Sequence, residues 1–397
     1  MTDNKFRISS PFTLQQIEEV YSNHVLCQEF YNIDYAQEWL KNDDPYIDMA
    51  EFIKNVLNPK TVLDIGCGIG KLIGELRKRR INAYGVEFSD DFINASPMKK
   101  YIRKDNILDL KQFKSGEFDL IICMEVLEHL PPTYLINAIN NLKRICNNKL
   151  LITIPSYGPN KFGYSGLPLN EKCWLDAARK NIPFPNLVVD ENNIPHLGHI
   201  SLASYRWWSL KFLQNGLIRD ISCENQGYFN NNFLKYHWNT YILNKLDVDN
   251  INIQNYNFFF EGVYDLENWG QGRNIRWTHK KFDLYLKFTK PTHEIEIEFY
   301  SGLKEITYVR YLKIECKRLY ETIDLHLGYQ ELNSNIYTLQ PDTWCKFSIP
   351  INLVNVESGT ILKFECELCT AFIPEYLVKN GDNRALGIAL KSFGRVS

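Results

Sequence analysis

Thr61-Val62-Leu63-Asp64-Ile65-Gly66-Cys67-Gly68-Ile69-Gly70-Lys71-Leu72 opens as a short apolar strand and runs into three glycines at alternate positions. Leu72, Ile73 and Leu76 then recur at helical spacing toward Arg80, so the stretch reads as strand, glycine turn, helix. Glycine lets backbone approach a ligand closely, and a helix N-terminus offers unpaired N–H groups to an anion. The ligand is decided by what flanks this turn.

From residue 61 to about 155 strands and helices alternate. The strands are Thr61–Ile65, Ala83–Glu87, a short one near Tyr101–Arg103, Phe118–Met124 and Lys149–Ile154, with helices at 71–80, 90–97 and 132–147. This pattern predicts an α/β fold, a doubly wound, Rossmann-like parallel sheet with its ligand beyond the carboxyl ends of the strands. Upstream, residues 1–60 read as a helical lead-in. Phe12–Val20 and Ala36–Leu57 are periodic, Asn58-Pro59 is a stop, and Tyr31 and Tyr35 lie between as core packing or as a cover for the ligand.

Downstream, residues 156–200 are rich in Gly, Pro and Asn and hold Tyr157, Tyr164, Trp174, His196 and His199. An insertion of this length predicts a lid or substrate loop. Leu202–Asn215 reads as a helix ended by Gly216, and Ile218–Cys223 as a returning strand. Beyond about 245 an Asn-rich linker gives way to short alternating runs at Asp283–Thr289, Ile295–Tyr300, Tyr308–Cys316, Ile323–Gly328, Trp344–Ile349 and Ile361–Ala371. They predict an all-β, jelly-roll-like sandwich over 255–397.

The 397 residues carry a formal net charge of −2, which gives no footprint for non-specific nucleic-acid binding. The ten cysteines show no framework spacing, and Cys366 and Cys369 sit three apart in a strand, on opposite faces. No apolar signal core and no run of membrane-spanning length is present, so a reduced, cytoplasmic protein is expected.

The dinucleotide fingerprint is G-x-G-x-x-G, whereas the spacing here is Gly66-x-Gly68-x-Gly70, preceded by Asp64. Glu87 ends the second strand, where an acid accepts ribose hydroxyls, and Asp105-Asn106 follows the third, where a carboxylate takes an adenine amine. Phe118-Asp119 through Met124-Glu125-Val126-Leu127-Glu128-His129-Leu130 supplies the fourth strand and its mouth. With these pieces in this order, residues 35–225 resemble the class I S-adenosylmethionine-dependent methyltransferases. The resemblance makes 61–245 the catalytic domain. It implies a cofactor site of Asp64, Gly66, Cys67, Gly68, Gly70, Glu87, Phe88, Asp105, Asn106, Met124 and Glu125. The glycine loop would hold the methionine portion, Glu87 the ribose and Asp105 the adenine.

Methyl transfer to a hydroxyl requires positioning and removal of a proton, which calls for a base or a metal. Glu125, Glu128 and His129 are spaced i, i+3, i+4 at the head of an expected helix, on one face, and His199 follows 70 residues after His129. The set is similar to that of the small-RNA 2′-O-methyltransferases, which implies magnesium or another divalent cation on Glu125, Glu128, His129 and His199. It is also similar to the quinone-precursor O-methyltransferases. The same Glu-x-x-Glu-His run occurs in methyltransferases without a metal, so His199 and His129 stand equally as metal-free catalytic residues, and His196 as a lid residue.

Phe260 through Thr278, with Trp269, Arg273, Arg276 and Trp277, is similar to openings of β-sandwich modules on polysaccharide-modifying enzymes. The tryptophans offer stacking faces and Glu267, Arg273 and Arg276 polar partners, or the tryptophans are core anchors and Glu267–Arg276 an internal pair. The expected partner is a saccharide acceptor, polymeric, lipid-linked or nucleotide-linked. An RNA 2′-O-methyltransferase and a non-enzymatic binding protein are the competing classes, and an oligomer is left open.

Overall fold

The computed structural model describes residues 6–26, 30–41, 46–157, 172–220, 223, 240–245, 259–268, 274–287, 294–302, 308–321, 327–351, 360–371, 373–374 and 384–395. Two compact units result, one centred on residues 1–245 and the other on 246–397.

In the first unit seven strands form the central sheet: β1 (Thr61–Ile65), β2 (Asn82–Glu87), β3 (Ile102–Lys104), β4 (Phe118–Met124), β5 (Cys146–Thr153), β6 (Leu217–Arg219) and β7 (Thr240–Lys245). Their order is β6-β7-β5-β4-β1-β2-β3. Strands β1 to β5 run parallel, as the alternation of elements predicts. The sheet as a whole is mixed, because β7 inserts antiparallel between β5 and β6 beyond the parallel part. The buried run Tyr241-Ile242-Leu243 makes β7 a strand, but three apolar residues are too few to show a period in sequence.

Both faces of the sheet are covered, so β1 and β4 are buried along most of their length rather than at alternate residues. The helix Lys71–Lys78 contains Gly74, which costs about 1 kcal/mol against Ala. It also buries Leu72, Ile73 and Leu76, each contributing about 1.5–3 kcal/mol. Packing outweighs propensity.

The lead-in is not purely helical. Arg7–Pro11 is a strand paired antiparallel with Asn186–Val189, and Leu187 N–H donates to Ser9 Oγ at 2.9 Å. A capping box at Thr13 and Gln16 starts the helix Leu14–Val20. Within the stretch expected to be helical over Ala36–Leu57, the described helices are Ile33–Lys41 and Tyr46–Phe52, the second extended by a wide turn that ends at left-handed Asn58. The helix expected at 132–147 is Leu135–Ile145, because Pro131 and Pro132 hold the preceding residues extended or in a tight turn.

The described strands of the second unit are β8 (Phe259–Asn268), β9 (Asn274–Lys287), β10 (Glu294–Tyr300), β11 (Arg310–Glu321), β12 (Leu327–Leu339), β13 (Trp344–Pro350), β14 (Ile361–Leu368) and β15 (Ala389–Arg395). All pairs are antiparallel, in the order β12-β11-β14-β9-β15-β10-β13, with β8 on β9. Strands β12 and β13 stand at the two ends of that order, yet Tyr337 stacks on Phe347 at 4.8 Å and its hydroxyl donates to the Ser348 carbonyl. The sheet therefore curls until its ends meet. Trp277 is 3% exposed and packs with Leu386 and Ala389, so it is a core anchor and not a stacking face. Tyr164, Trp269 and Arg273 lie outside the described residues, as do the side chains of Tyr157, Glu267 and Arg276.

Candidate active site

The strand order reverses direction between β1 and β4, and a cavity of about 410 Å³ opens at their carboxyl ends. Its walls include Asp64, Gly66, Cys67, Gly68, Glu87, Phe88, Asp105, Asn106, Met124 and Glu125, so ten of the eleven residues expected at a cofactor are brought together. Gly70 is the exception. It caps the helix Lys71–Lys78 and lies against Met98, away from the cavity wall.

Gly66 and Gly68 are left-handed, at φ +70° and +54°. A Cβ on Gly66 would sit 2.4 Å from Val126 Cγ2, and one on Gly68 2.7 Å from the Trp39 ring, so no side chain fits at either. The loop's N–H groups are already engaged: Gly66 and Cys67 donate to the Val86 carbonyl, Gly68 to Glu87 Oε2 at 2.8 Å, and Gly70 to the Cys67 carbonyl. A phosphate cradle needs free donors, so the turn offers a ligand close approach instead of an anion nest.

Glu87 also accepts from Phe88 N–H at 2.7 Å and Ser89 N–H at 2.8 Å. Burial still raises its pKa, against those three donors. Asp64, 2% exposed, is pushed up to about 8 by burial and then by the charge of Glu87. Asp105 accepts from Asn106 N–H at 2.8 Å and from the Gln112 amide, which aims it at the cavity beyond β3.

Glu125 to His129 do not form the expected helix. Glu125 is itself left-handed at φ +52°, a strained position for a non-glycine residue, and only Leu127–His129 makes a short 3-10 turn. Glu125 is consequently turned away from Glu128's face. Its N–H donates to the Thr153 carbonyl, and its Oε1 accepts from Thr153 Oγ1 at 2.8 Å. Solvent reaches Glu125 through the cavity, but protein surrounds it on the other sides, and that burial pushes its carboxyl up to about 7. The expected four-ligand set therefore loses Glu125.

Three members remain together. Glu128, His129 and His199 each offer one ligand atom, and these atoms lie within 4.8 Å of one another. Glu128 is fully buried, and neither of its oxygens has a hydrogen-bond partner. Its Oε1 is 3.9 Å from His129 Nε2 and 3.9 Å from His199 Nε2. Burial, and then the charge of Glu125, drives Glu128 well above the usual carboxylate range. Burial pulls His129 down to about 4 and His199 well below its ordinary value. Burying a carboxylate without a partner is costly, so this group awaits a proton or a cation.

The backbone holds the cluster. Ile200 and Ser201 N–H groups donate to the Glu128 carbonyl, at 2.9 and 2.8 Å, and Ser201 Oγ donates to the Leu130 carbonyl. His199 is thereby strapped opposite His129 although 70 residues separate them in the chain. His196 is half-buried against the Phe6 ring, outside the cluster.

Beside the two imidazoles the wall is apolar, made by Tyr21, Val25, Leu26, Leu130 and Leu197, with Tyr31, Tyr35 and Trp39 toward the glycine turn. Sequence reasoning weighed Tyr31 and Tyr35 mainly as packing and did not see Thr153 at all. The four-residue spacing of Tyr35 and Trp39 was the available signal, since it puts both rings on one helical face.

Residues 43–210 match the family model of a methyltransferase domain. The ubiquinone biosynthesis O-methyltransferase of Hydrogenovibrio crunogenus is 33% identical over 98 residues, 22% of this chain and 41% of that one. The enzyme of the same name from Dechloromonas aromatica is 32% identical over 103 residues, 24% of this chain and 44% of that one. The chain thus spans less than half the length of these curated relatives. Among solved structures, a SAM-dependent methyltransferase from Archaeoglobus fulgidus aligns at 23% identity and a TM-score of 0.26, covering 28% of this chain and 52% of that one. The first unit carries a Rossmann-like methyltransferase domain.

Proposed function

We propose that this protein is an S-adenosylmethionine-dependent O-methyltransferase whose acceptor is a hydroxyl of a glycan or of a sugar-linked precursor. One observation carries the O-methyl reading: the unpartnered, fully buried carboxylate of Glu128 lies beside two imidazoles, and both imidazoles line the same cavity as the glycine turn.

The cavity fits the methyl donor. Gly66 and Gly68 put left-handed backbone at the cavity wall, where Glu87 would take the ribose hydroxyls and Asp105 the adenine amine. The donor supplies a methyl group already activated on a sulfonium. The chain must therefore orient the acceptor, exclude water and receive the hydroxyl proton. His199, neutral because it is buried, is the base at hand.

The cluster is also a candidate for a divalent cation, with Glu128 Oε1 3.9 Å from each imidazole and the three ligand atoms within 4.8 Å of one another. Glu128, His129 and His199 would hold it, and it would acidify the acceptor hydroxyl.

The saccharide is supported by the joining of this domain to a strand-rich antiparallel unit. A second reading, a phenolic acceptor, is favoured by the apolar wall of Tyr21, Val25, Leu26, Leu130 and Leu197 and by the names of the curated relatives. An RNA acceptor has the net charge of −2 against it. Transfer of labelled methyl to saccharide and catechol acceptors tests the set. We expect label in an O-methyl product and about a 100-fold or greater loss in His199→Ala. Label in RNA alone overturns the acceptor class, and full activity of His199→Ala overturns the base.

A further inference from the structure

The cluster of Glu128, His129 and His199 has an additional neighbour 98 residues upstream of His129, the hydroxyl of Tyr31. His129 is engaged at both ring nitrogens. Its Nδ1 lies 3.1 Å from the Gly198 carbonyl, which only accepts, so Nδ1 carries the proton. The lone pair is then on Nε2, 2.8 Å from the Tyr31 oxygen, and Tyr31 must be the donor. That same Nε2 is the atom 3.9 Å from Glu128 Oε1.

One lone pair cannot accept a hydrogen bond and coordinate a cation together. We propose that Tyr31 is a positioning residue that reserves His129 Nε2, so that a divalent cation enters the cluster only when the Tyr31 hydroxyl lets go. The proposal rests on the reading of the cluster as a cation site. The Gly198 contact supports it, because a backbone carbonyl on the far nitrogen is how ligating histidines are commonly fixed. Glu128, with neither oxygen bonded, is the partner left waiting while Tyr31 holds on.

Tyr31 is well mounted for this role. Its carbonyl accepts from Ser89 Oγ at 2.9 Å, and Ser89 N–H in turn donates to Glu87, the expected ribose ligand. Its ring meets His129 edge to face at 5.4 Å and Phe92 at 5.8 Å. The tyrosine therefore spans from the loop after β2 to the imidazole across the cavity.

The test is calorimetric titration of Mn²⁺ into the full chain and into Tyr31→Phe, which keeps the ring and removes only the hydroxyl. Releasing one neutral hydrogen bond should tighten Mn²⁺ binding by about three- to tenfold. Tyr35→Phe, which alters the same aromatic wall without touching His129, should leave affinity unchanged. Glu128→Ala introduced into the Tyr31→Phe background should abolish binding, which places the ion in the cluster. Equal or weaker binding in Tyr31→Phe, with the natural chain binding Mn²⁺, overturns the role of Tyr31 alone. No binding in either protein overturns the cation reading as well. Matching unfolding temperatures for the natural chain and Tyr31→Phe separate these outcomes from loss of fold.

Discussion

Asp64, at the end of the strand that enters the glycine turn, has a carboxyl pushed up to about 8 by burial and then by Glu87. A carboxyl whose folded pKa lies above its unfolded value keeps its proton in the folded state. Its contribution to stability is therefore fully present below about pH 4 and is lost as pH rises through about 8. Asp64→Asn, neutral at every pH, should stabilise the ligand-free protein near pH 8 by about 2–5 kcal/mol, with the gain shrinking toward zero near pH 4. Denaturant midpoints at the two pH values check this. A gain that is the same at both would mean that packing and not ionisation is responsible. Asp64 was legible as a site residue from the turn it precedes. Its shifted ionisation was not, since that depends on the depth of the strand it sits on and on Glu87, 23 residues later.

At the scale of elements, the parallel strands were readable because β1, β2 and β4 are each bounded by a turn signal and lead to a helix, at Lys71–Lys78, Asp90–Ala95 and Leu135–Ile145. The antiparallel additions were not. Arg7–Pro11 and Asn186–Val189 form a short ladder between segments far apart in the chain, and neither has enough residues to display its own period. The segment from Glu125 to His129 fails differently, since its spacing fits one helical face while Pro131 and Pro132 bar the helix that would create that face. Glu128, His129 and His199 still meet, but the backbone bonds from 200 and 201 to Glu128 bring them together, and those carry no side-chain signature. The turn between β1 and the helix Lys71–Lys78 is where sequence and structure agree most closely. Gly66→Ala should place a methyl 2.4 Å from Val126 Cγ2 on a left-handed backbone, costing about 1–3 kcal/mol and weakening cofactor binding. Unchanged stability and affinity in that variant would mean the turn relaxes freely and does not shape the cavity.

At the scale of the molecule, a methyltransferase domain is joined to an antiparallel β unit, and the two answer to different evidence. The domain is supported by strand order, by the cavity and by the family match over 43–210. For the β unit the strand-rich character was legible, while Trp277 stayed open between a stacking face and a core anchor, because a tryptophan reads alike whether it faces a ligand or fills a core. The central claim is that the cavity beyond β1 and β4 holds S-adenosylmethionine. Calorimetric titration of S-adenosylhomocysteine into the natural chain and into Glu87→Ala tests it most directly. The account predicts saturable binding by the natural chain and at least about a tenfold loss in Glu87→Ala, the cost of an unmade charge-assisted hydrogen bond. No binding by a folded natural chain, or equal affinity in Glu87→Ala, would contradict it.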